Sequence, residues 1–308
     1  MMHWEKKGLI FNPEGLGGWR DNTFITPTPC LLTPEVIRVF GGFRDKEGIS
    51  RIGYIDLKAE NPKEIISISS KPVLDIGKEG MFDDNGVILG SVIKNGEELW
   101  MYYVGFQLVK KVKFLAFSGL AISSDNGESF RRISDTPVLD RYADEHYIRA
   151  IHTVIKEKDR FRIWYSAGNR WEIINAIPYP QYKIMYTESA DGINMPVGKG
   201  INCVDVVNDE YRIGRPTVFI ENGLHKMFYT KDTLSKIYSA GYAESKDGLI
   251  WERKEDLFHL PLSETGWDSQ TICYPVPLKT NYGHYLFYSG NNMGQSGVGY
   301  AQLSLQNR

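Results

Sequence analysis

The sequence predicts an all-β fold, a five-bladed β-propeller of four-stranded antiparallel blades, with the N-terminal strand completing the last blade. Three observations carry this. A segment of about 60 residues recurs five times, an aromatic residue stands at a fixed distance from the acid that opens each copy, and the runs between turns are short and β-branched. The copies fill the 308 residues without a linker or a break in composition, so one domain over 1-308 is expected.

Each copy opens on an acid that leads into an apolar run, at Asp21 (DNTFITPTPCLL), Asp83 (DDNGVILGSVIK), Glu145 (EHYIRAIHTVIK), Asp209 (DEYRIGRPTVFI) and Asp268 (DSQTICYPVPLK). Nineteen residues further on, without a gap in any copy, stands an aromatic in a second run: Phe40, Tyr102, Trp164, Phe228 and Phe287. Turns such as Lys94-Asn95-Gly96 and Glu221-Asn222-Gly223 separate the two runs, which is hairpin chemistry. A third run follows, and in the middle copies it ends at Ser123-Ser124-Asp125-Asn126-Gly127, Ser189-Ala190-Asp191-Gly192 and Ser245-Lys246-Asp247-Gly248, each leading into a fourth. The last copy ends without a fourth strand, and His3 to Ile10 has the look of the strand around Trp251, so the N-terminus is expected to supply it. Such closure hides the open edge of the sheet.

Composition narrows the partners. Lys and Arg number 36 against 38 Asp and Glu, for a net charge of -2, and no long basic run occurs, so nucleic acid is not an expected partner. No apolar run of 18 residues exists to insert into a membrane, and the start lacks the layout of a secretory signal, so a cytoplasmic location is expected. Cys30, Cys203 and Cys273 lack metal-ligand spacing and read as small buried hydrophobes.

In a propeller the innermost strands line a central channel, so the residues that head them should gather around one funnel. The candidates for chemistry are Asp21, Asp83 or Asp84, Glu145 with Asp144 beside it, Asp209 or Glu210, and Asp268. A confined ring of carboxylates splits their pKa values, as acid/base cleavage of an acetal requires; alternatively these acids cap turns at the strand heads. The same heads carry Arg149, His152, Arg212 and Arg215, either to meet an anionic substrate such as phosphate, a nucleotide diphosphate or an acidic sugar, or to neutralise the acids. Trp171 and Trp267, with Trp19 and Tyr147, are candidates to stack on sugar rings. The five repeated aromatics are expected to be inter-blade core, and Asp125, Asp191 and Asp247 to be turn residues.

These repeats, acids and Ser-x-Asp-Gly hairpins resemble, over essentially the whole chain, the five-bladed propeller superfamily that contains glycoside hydrolase families 32, 43, 62, 68 and 130. FRDKEGISRIGYIDL, FDDNGVILGSVI, IGRPTVFIENG and GWDSQ also resemble a branch found near bacterial surface-polysaccharide genes. The resemblance implies a carbohydrate-active enzyme that cleaves or phosphorolyses a glycosidic bond. Its base or nucleophile, modulator and acid would be Asp21, Glu145 and Glu210 by blade. One departure is plain, since the familiar families place an Asp before a Pro on the inner strand and here that slot holds Arg215-Pro216 in blade four and no acid elsewhere. Two alternatives stay open: a glycosyl-transferring enzyme of capsule or lipopolysaccharide assembly that uses an activated sugar, and a non-catalytic glycan-binding propeller. The expected partner is a saccharide, including phosphorylated and nucleotide-linked ones. No cofactor is expected, while a channel calcium, known in the superfamily, is compatible with the carboxylates without being demanded by them.

Overall fold

The computed structural model describes residues 2–304. In chain order the strands are β1 (Met2–Phe11), β2 (Asn22–Thr33), β3 (Val36–Arg44), β4 (Ser50–Lys58), β5 (Ile65–Ile68), β6 (Val87–Asn95), β7 (Glu98–Gln107), β8 (Leu115–Ser123), β9 (Arg131–Arg132) and β10 (Ile148–Lys156). They continue with β11 (Phe161–Ile174), β12 (Ile177–Ser189), β13 (Ile201–Val204), β14 (Glu210–Glu221), β15 (Leu224–Thr233), β16 (Tyr238–Ser245), β17 (Glu252–Arg253), β18 (Phe258–His259), β19 (Cys273–Thr280), β20 (Gly283–Ser289) and β21 (Val298–Leu303). The fold is all-β, and each repeat lays down an antiparallel meander: β2 to β5, β6 to β9, β10 to β13, β14 to β17, and β19 to β21. Asn222 and Gly223 take φ of 53° and 76° between β14 and β15, the left-handed pair that a two-residue hairpin requires.

Hydrogen bonding delineates four sheets, of five, eight, four and four strands. The eight-stranded one arises because Ile148 and Arg149 of β10 pair in parallel with Ala116 and Phe117 of β8, joining two meanders edge to edge. The N-terminal strand β1 pairs antiparallel with β21, from Trp4 opposite Leu303 to Phe11 opposite Val298, and carries β18 in parallel on its other side.

The repeated aromatics are fully buried and each packs across to the next meander. Phe40 lies with Leu89 and Met101, Tyr102 with Ile151 and Ile163, Trp164 with Ile213 and Met227, Phe228 with Leu286 and Tyr288, and Phe287 with Phe24 and Val39. The Ser-x-Asp turns serve the same interfaces. Tyr102 Oη donates to the Gly192 carbonyl at 2.9 Å, and Trp164 Nε1 to that of Gly248 at 3.0 Å. Asp191 and Asp247 are turn residues as expected, accepting backbone amides from Ile193 and Asn194, and from Leu249 and Ile250. Among the described residues no helix is long and apolar enough to cross a membrane.

Candidate functional site

All five inner strands carry an irregularity at one and the same place. The residues that pair with the repeated aromatics are Thr28, Ser91, Thr153, Thr217 and Val276, and immediately before each the ladder slips by one extra residue. The slips fall at Thr26-Pro27, Gly90, His152, Arg215-Pro216 and Tyr274-Pro275. A β-bulge leaves one residue unpaired and re-aims its side chain, and bulges concentrate beside active sites. Thr26, Arg215 and Tyr274 take positive φ of 57°, 54° and 56°, a strained setting for non-glycine residues. Gly90 is fixed by proximity, since a Cβ there would lie 2.2 Å from the Ile151 carbonyl oxygen.

Four of the five bulges contribute to the lining of one cavity of about 330 Å³, while Gly90 lines a neighbouring one. Thr26, His152, Arg215 and Tyr274 line the larger cavity, together with Arg44, Lys113, Phe114, Tyr179, Tyr182, Arg212 and Tyr238. The neighbouring cavity, of about 180 Å³, shares His152 and Arg215 with the first, so these two residues stand between the spaces. Arg215 donates Nη1 to the Leu89 carbonyl (2.5 Å) and to His152 Nδ1 (3.0 Å), and Nη2 to Thr28 Oγ1 (3.3 Å). One guanidinium thereby ties β14 to β6, β10 and β2. Since His152 Nδ1 accepts, its proton resides on Nε2, and burial together with the neighbouring Arg215 holds its pKa well below the usual histidine value. Burial lowers Arg215 itself to about 10, which leaves it charged near neutrality.

Arg212 is also on the wall, with Nη2 2.6 Å from Asp232 Oδ2, an acid the sequence did not single out. Asp232 is fully buried and also accepts from Tyr211 Oη (2.6 Å) and Lys236. Tyr238 Oη donates to Tyr274 Oη at 3.0 Å, and burial raises the pKa of both phenols.

The carboxylates expected around the funnel are placed otherwise, for none lines the cavity. Asp83, fully buried, receives Arg132 of β9 at 2.7 Å; Asp268 receives Lys6 of β1 at 2.7 Å and Tyr288 Oη at 3.0 Å. Glu210 receives Arg253 of β17 and Lys231, and Glu145 receives Arg149 Nε at 2.8 Å and Tyr165 Oη at 2.9 Å. For Asp83 and Glu210 the cation belongs to the outermost strand of the same meander, and for Asp268 to β1, which pairs with β21 of the same sheet. Burial pushes the Glu210 carboxyl up, but Arg253, the Val207 amide and Lys231 outweigh it and hold the pKa at about 2. Glu210 is therefore ionised at neutral pH. Asp84 accepts the Gly80 amide at 2.9 Å as a turn cap, and Asp21 closes a short 3₁₀ turn at Gly18–Arg20.

The other candidates divide similarly. Arg212, Arg215 and His152 line the cavity, whereas Arg149 is buried against Glu145 and the carbonyls of Asp140 and Gly198. Trp171 stands edge-on behind Phe114 at 4.9 Å, and Trp267 stacks on Tyr288 at 5.1 Å as packing. Sequence reasoning missed Arg44, Lys113 and the tyrosines. The X-Pro pairs Thr26-Pro27, Arg215-Pro216 and Tyr274-Pro275, each at the same distance ahead of the strand's pairing with its aromatic, were the signal that could have found Thr26 and Tyr274.

Calcium wants six to eight oxygen ligands, mostly carboxylate and carbonyl. Here the channel holds the Arg215 guanidinium and no lining carboxylate, and among the described residues no three His, Cys, Asp or Glu side chains are grouped to hold a metal. The donor set does not fit a calcium ion.

No protein-family model matches the chain. Uncharacterized proteins Rv1502 and MT1551 of Mycobacterium tuberculosis (strains ATCC 25618 / H37Rv and CDC 1551 / Oshkosh) are each 30% identical to it over 304 residues, 98% of this chain and 99% of theirs. Among solved structures, a thermostable family-43 glycoside hydrolase superposes with TM-score 0.68 at 17% identity, covering 96% of this chain and 94% of its own. A structure from the GH130 family, described as mannoside phosphorylases that include glycoside hydrolases targeting β-1,2 mannosidic linkages in Candida mannan, gives 0.69 at 15% identity over 98% and 93%. The GH32 β-fructofuranosidase BmSUC1 of Bombyx mori gives 0.62 at 15% identity over 98% and 61%. At these identities the structural likeness speaks for the fold, which is the propeller fold of glycoside hydrolases. The chain belongs to one family with Rv1502 and MT1551.

Proposed function

We propose that the protein is a carbohydrate-active five-bladed propeller whose central funnel binds a saccharide. Five equivalent meanders, five inter-meander aromatic clusters and the pairing of β1 with β21 support the blade count. The observation that carries the function is the bulge repeated in all five inner strands, which aims Thr26, His152, Arg215 and Tyr274 into one cavity beside the flat faces of Tyr179 and Tyr182. Strain repeated around a single cavity is kept where it positions a ligand, and aromatic faces with converging polar groups suit sugar rings.

Hydrolysis through two carboxylates calls for acids that face the scissile bond. Asp83, Glu145, Glu210 and Asp268 are instead spent on ion pairs. The reading favoured within the carbohydrate-active class is therefore action on an activated sugar, for which the cationic lining is the specific observation. A phosphate leaving group departs as a stable anion and needs positive charge more than a proton donor. The same lining also suits a glycan-binding propeller without turnover.

Calorimetric titration with a panel of mono- and oligosaccharides tests the reading. Binding by the wild type that is lost in a folded Tyr182→Ala variant is the expected result. Binding that survives the substitution moves the site elsewhere, and a panel that binds nowhere removes the function.

A further inference from the structure

The funnel carries more positive charge than the protein itself neutralises. Arg212 is matched by Asp232, but Arg44, Lys113 and Arg215 make no ion pair among the described residues, and no carboxylate lines the cavity. Arg215 is only 6% exposed and gives its two terminal nitrogens to a carbonyl, a hydroxyl and a neutral imidazole, while its Nε has no partner. Arg44, held at the end of β3, likewise has a buried Nε without a partner. A guanidinium remains charged in such a place, and leaving it uncompensated is unfavourable. Two of them against one cavity wait for negative charge from outside.

The cations share that cavity with a wall of Phe114, Pro178, Tyr179, Pro180 and Tyr182. A free inorganic anion would use the arginines and leave the wall bare, and a neutral sugar would use the wall and leave the arginines bare. We infer that the funnel takes a saccharide bearing its own anionic group, a phosphoryl or carboxylate substituent, with that group on Arg44 and Arg215 and the ring against Tyr179 and Tyr182. This rests on the funnel being the saccharide site and names the class of saccharide. Lys113, exposed at the lining, attracts the same ligand from solution.

Isothermal titration with glucose, glucuronate, glucose 1-phosphate and inorganic phosphate tests this on the wild type, Arg44→Gln and Arg215→Lys, each checked for its melting temperature. At least one charged sugar is expected to bind about tenfold or more tighter than glucose at low salt, with the advantage shrinking as salt rises. Arg44→Gln should erase the advantage of the charged sugar over glucose, while Arg215→Lys, which keeps the charge but not the fork, should reduce it. Equal affinity for glucose and its charged forms, or a preference untouched by Arg44→Gln, overturns the inference and leaves the saccharide funnel standing. Inorganic phosphate that binds as tightly as glucose 1-phosphate overturns the attachment of the anion to the sugar. Failure of every sugar overturns the inference together with the reading beneath it.

Discussion

Ser166 Oγ accepts the backbone amide proton of Arg215 at 3.2 Å, reaching from β11 to the inner strand of the neighbouring sheet. The bulge at Arg215 has removed that amide from its own ladder, and the hydroxyl supplies the missing acceptor. Thr230 Oγ1 does the same for the Tyr274 amide, also at 3.2 Å. The strained residues that aim into the funnel are thus held by the adjoining sheet.

Ser166→Ala should therefore cost about 1–2 kcal/mol of stability by orphaning a buried amide, and should weaken ligand binding, since Ser166 lines the cavity and holds Arg215 beside it. Urea denaturation reads the first effect and titration the second. An unchanged denaturation midpoint would show that water or a shifted backbone replaces the hydroxyl.

Asp232 is the counter-charge for Arg212 and Lys236 at the wall of the cavity. Asp232→Asn strands two cations, one of them buried, and is expected to destabilise the protein by about 3–5 kcal/mol. A guanidinium chloride titration decides it, and a loss below about 1 kcal/mol would mean that the two cations find solvent.

Gly192 stands at φ of 75°, where an added Cβ would come within 2.7 Å of Tyr102 Oη and 2.8 Å of the Phe161 ring. Gly192→Ala should lower stability by about 2–4 kcal/mol, from backbone strain and overpacking combined. Gly96, at φ of 65° with open space around it, supplies the control. Gly96→Ala should cost only about 1–2 kcal/mol, so the melting temperatures of the two variants should differ clearly.

Acid should unfold the protein through identifiable groups. Asn194 and backbone amides hold Asp191 at about 2, Ile250, Leu249 and Ser245 hold Asp247 at about 2, and Arg253 with its neighbours holds Glu210 at about 2. Each folded pKa lies below its unfolded value, so the stabilisation is complete above the ordinary carboxylate range and drains away as the pH falls through that range toward 2. His152 acts earlier. Its folded pKa lies well below 6.5, so the unfolded chain binds the extra proton first and stability declines as pH drops through about 6.5. Denaturation midpoints measured from pH 8 to 3 should fall in these two stages, and Glu210→Gln should flatten the lower one.

The architecture was legible because packing repeats. Phe40, Tyr102, Trp164, Phe228 and Phe287 recur at fixed register because each fills the same gap between meanders, and Gly192 and Gly248 recur because the turns must press against those rings. The direction of the acids was not legible. Whether Asp83 or Asp268 faces the channel depends on Arg132 and Lys6, residues 49 positions later and at the other end of the chain. Tyr165 and Tyr288, each directly after a repeated aromatic, mark these clasps in hindsight, since each donates to the acid of its own repeat. Arg44 and Tyr182 lie at a strand end and in a long hairpin, where no period constrains them. The junction of β8 with β10 rests on two residue pairs and leaves no mark in the repeat.

The partnership of β1 with β21 has a consequence for how the molecule is made. The two strands are separated by nearly the whole described chain, so their ladder joins its two ends. Until it forms, the last sheet presents a bare edge, and the loop entropy of bringing the two ends together must be met before any gain from their pairing. Assembly is therefore expected to be slow, with edge-to-edge clustering as its characteristic failure when many chains fold side by side.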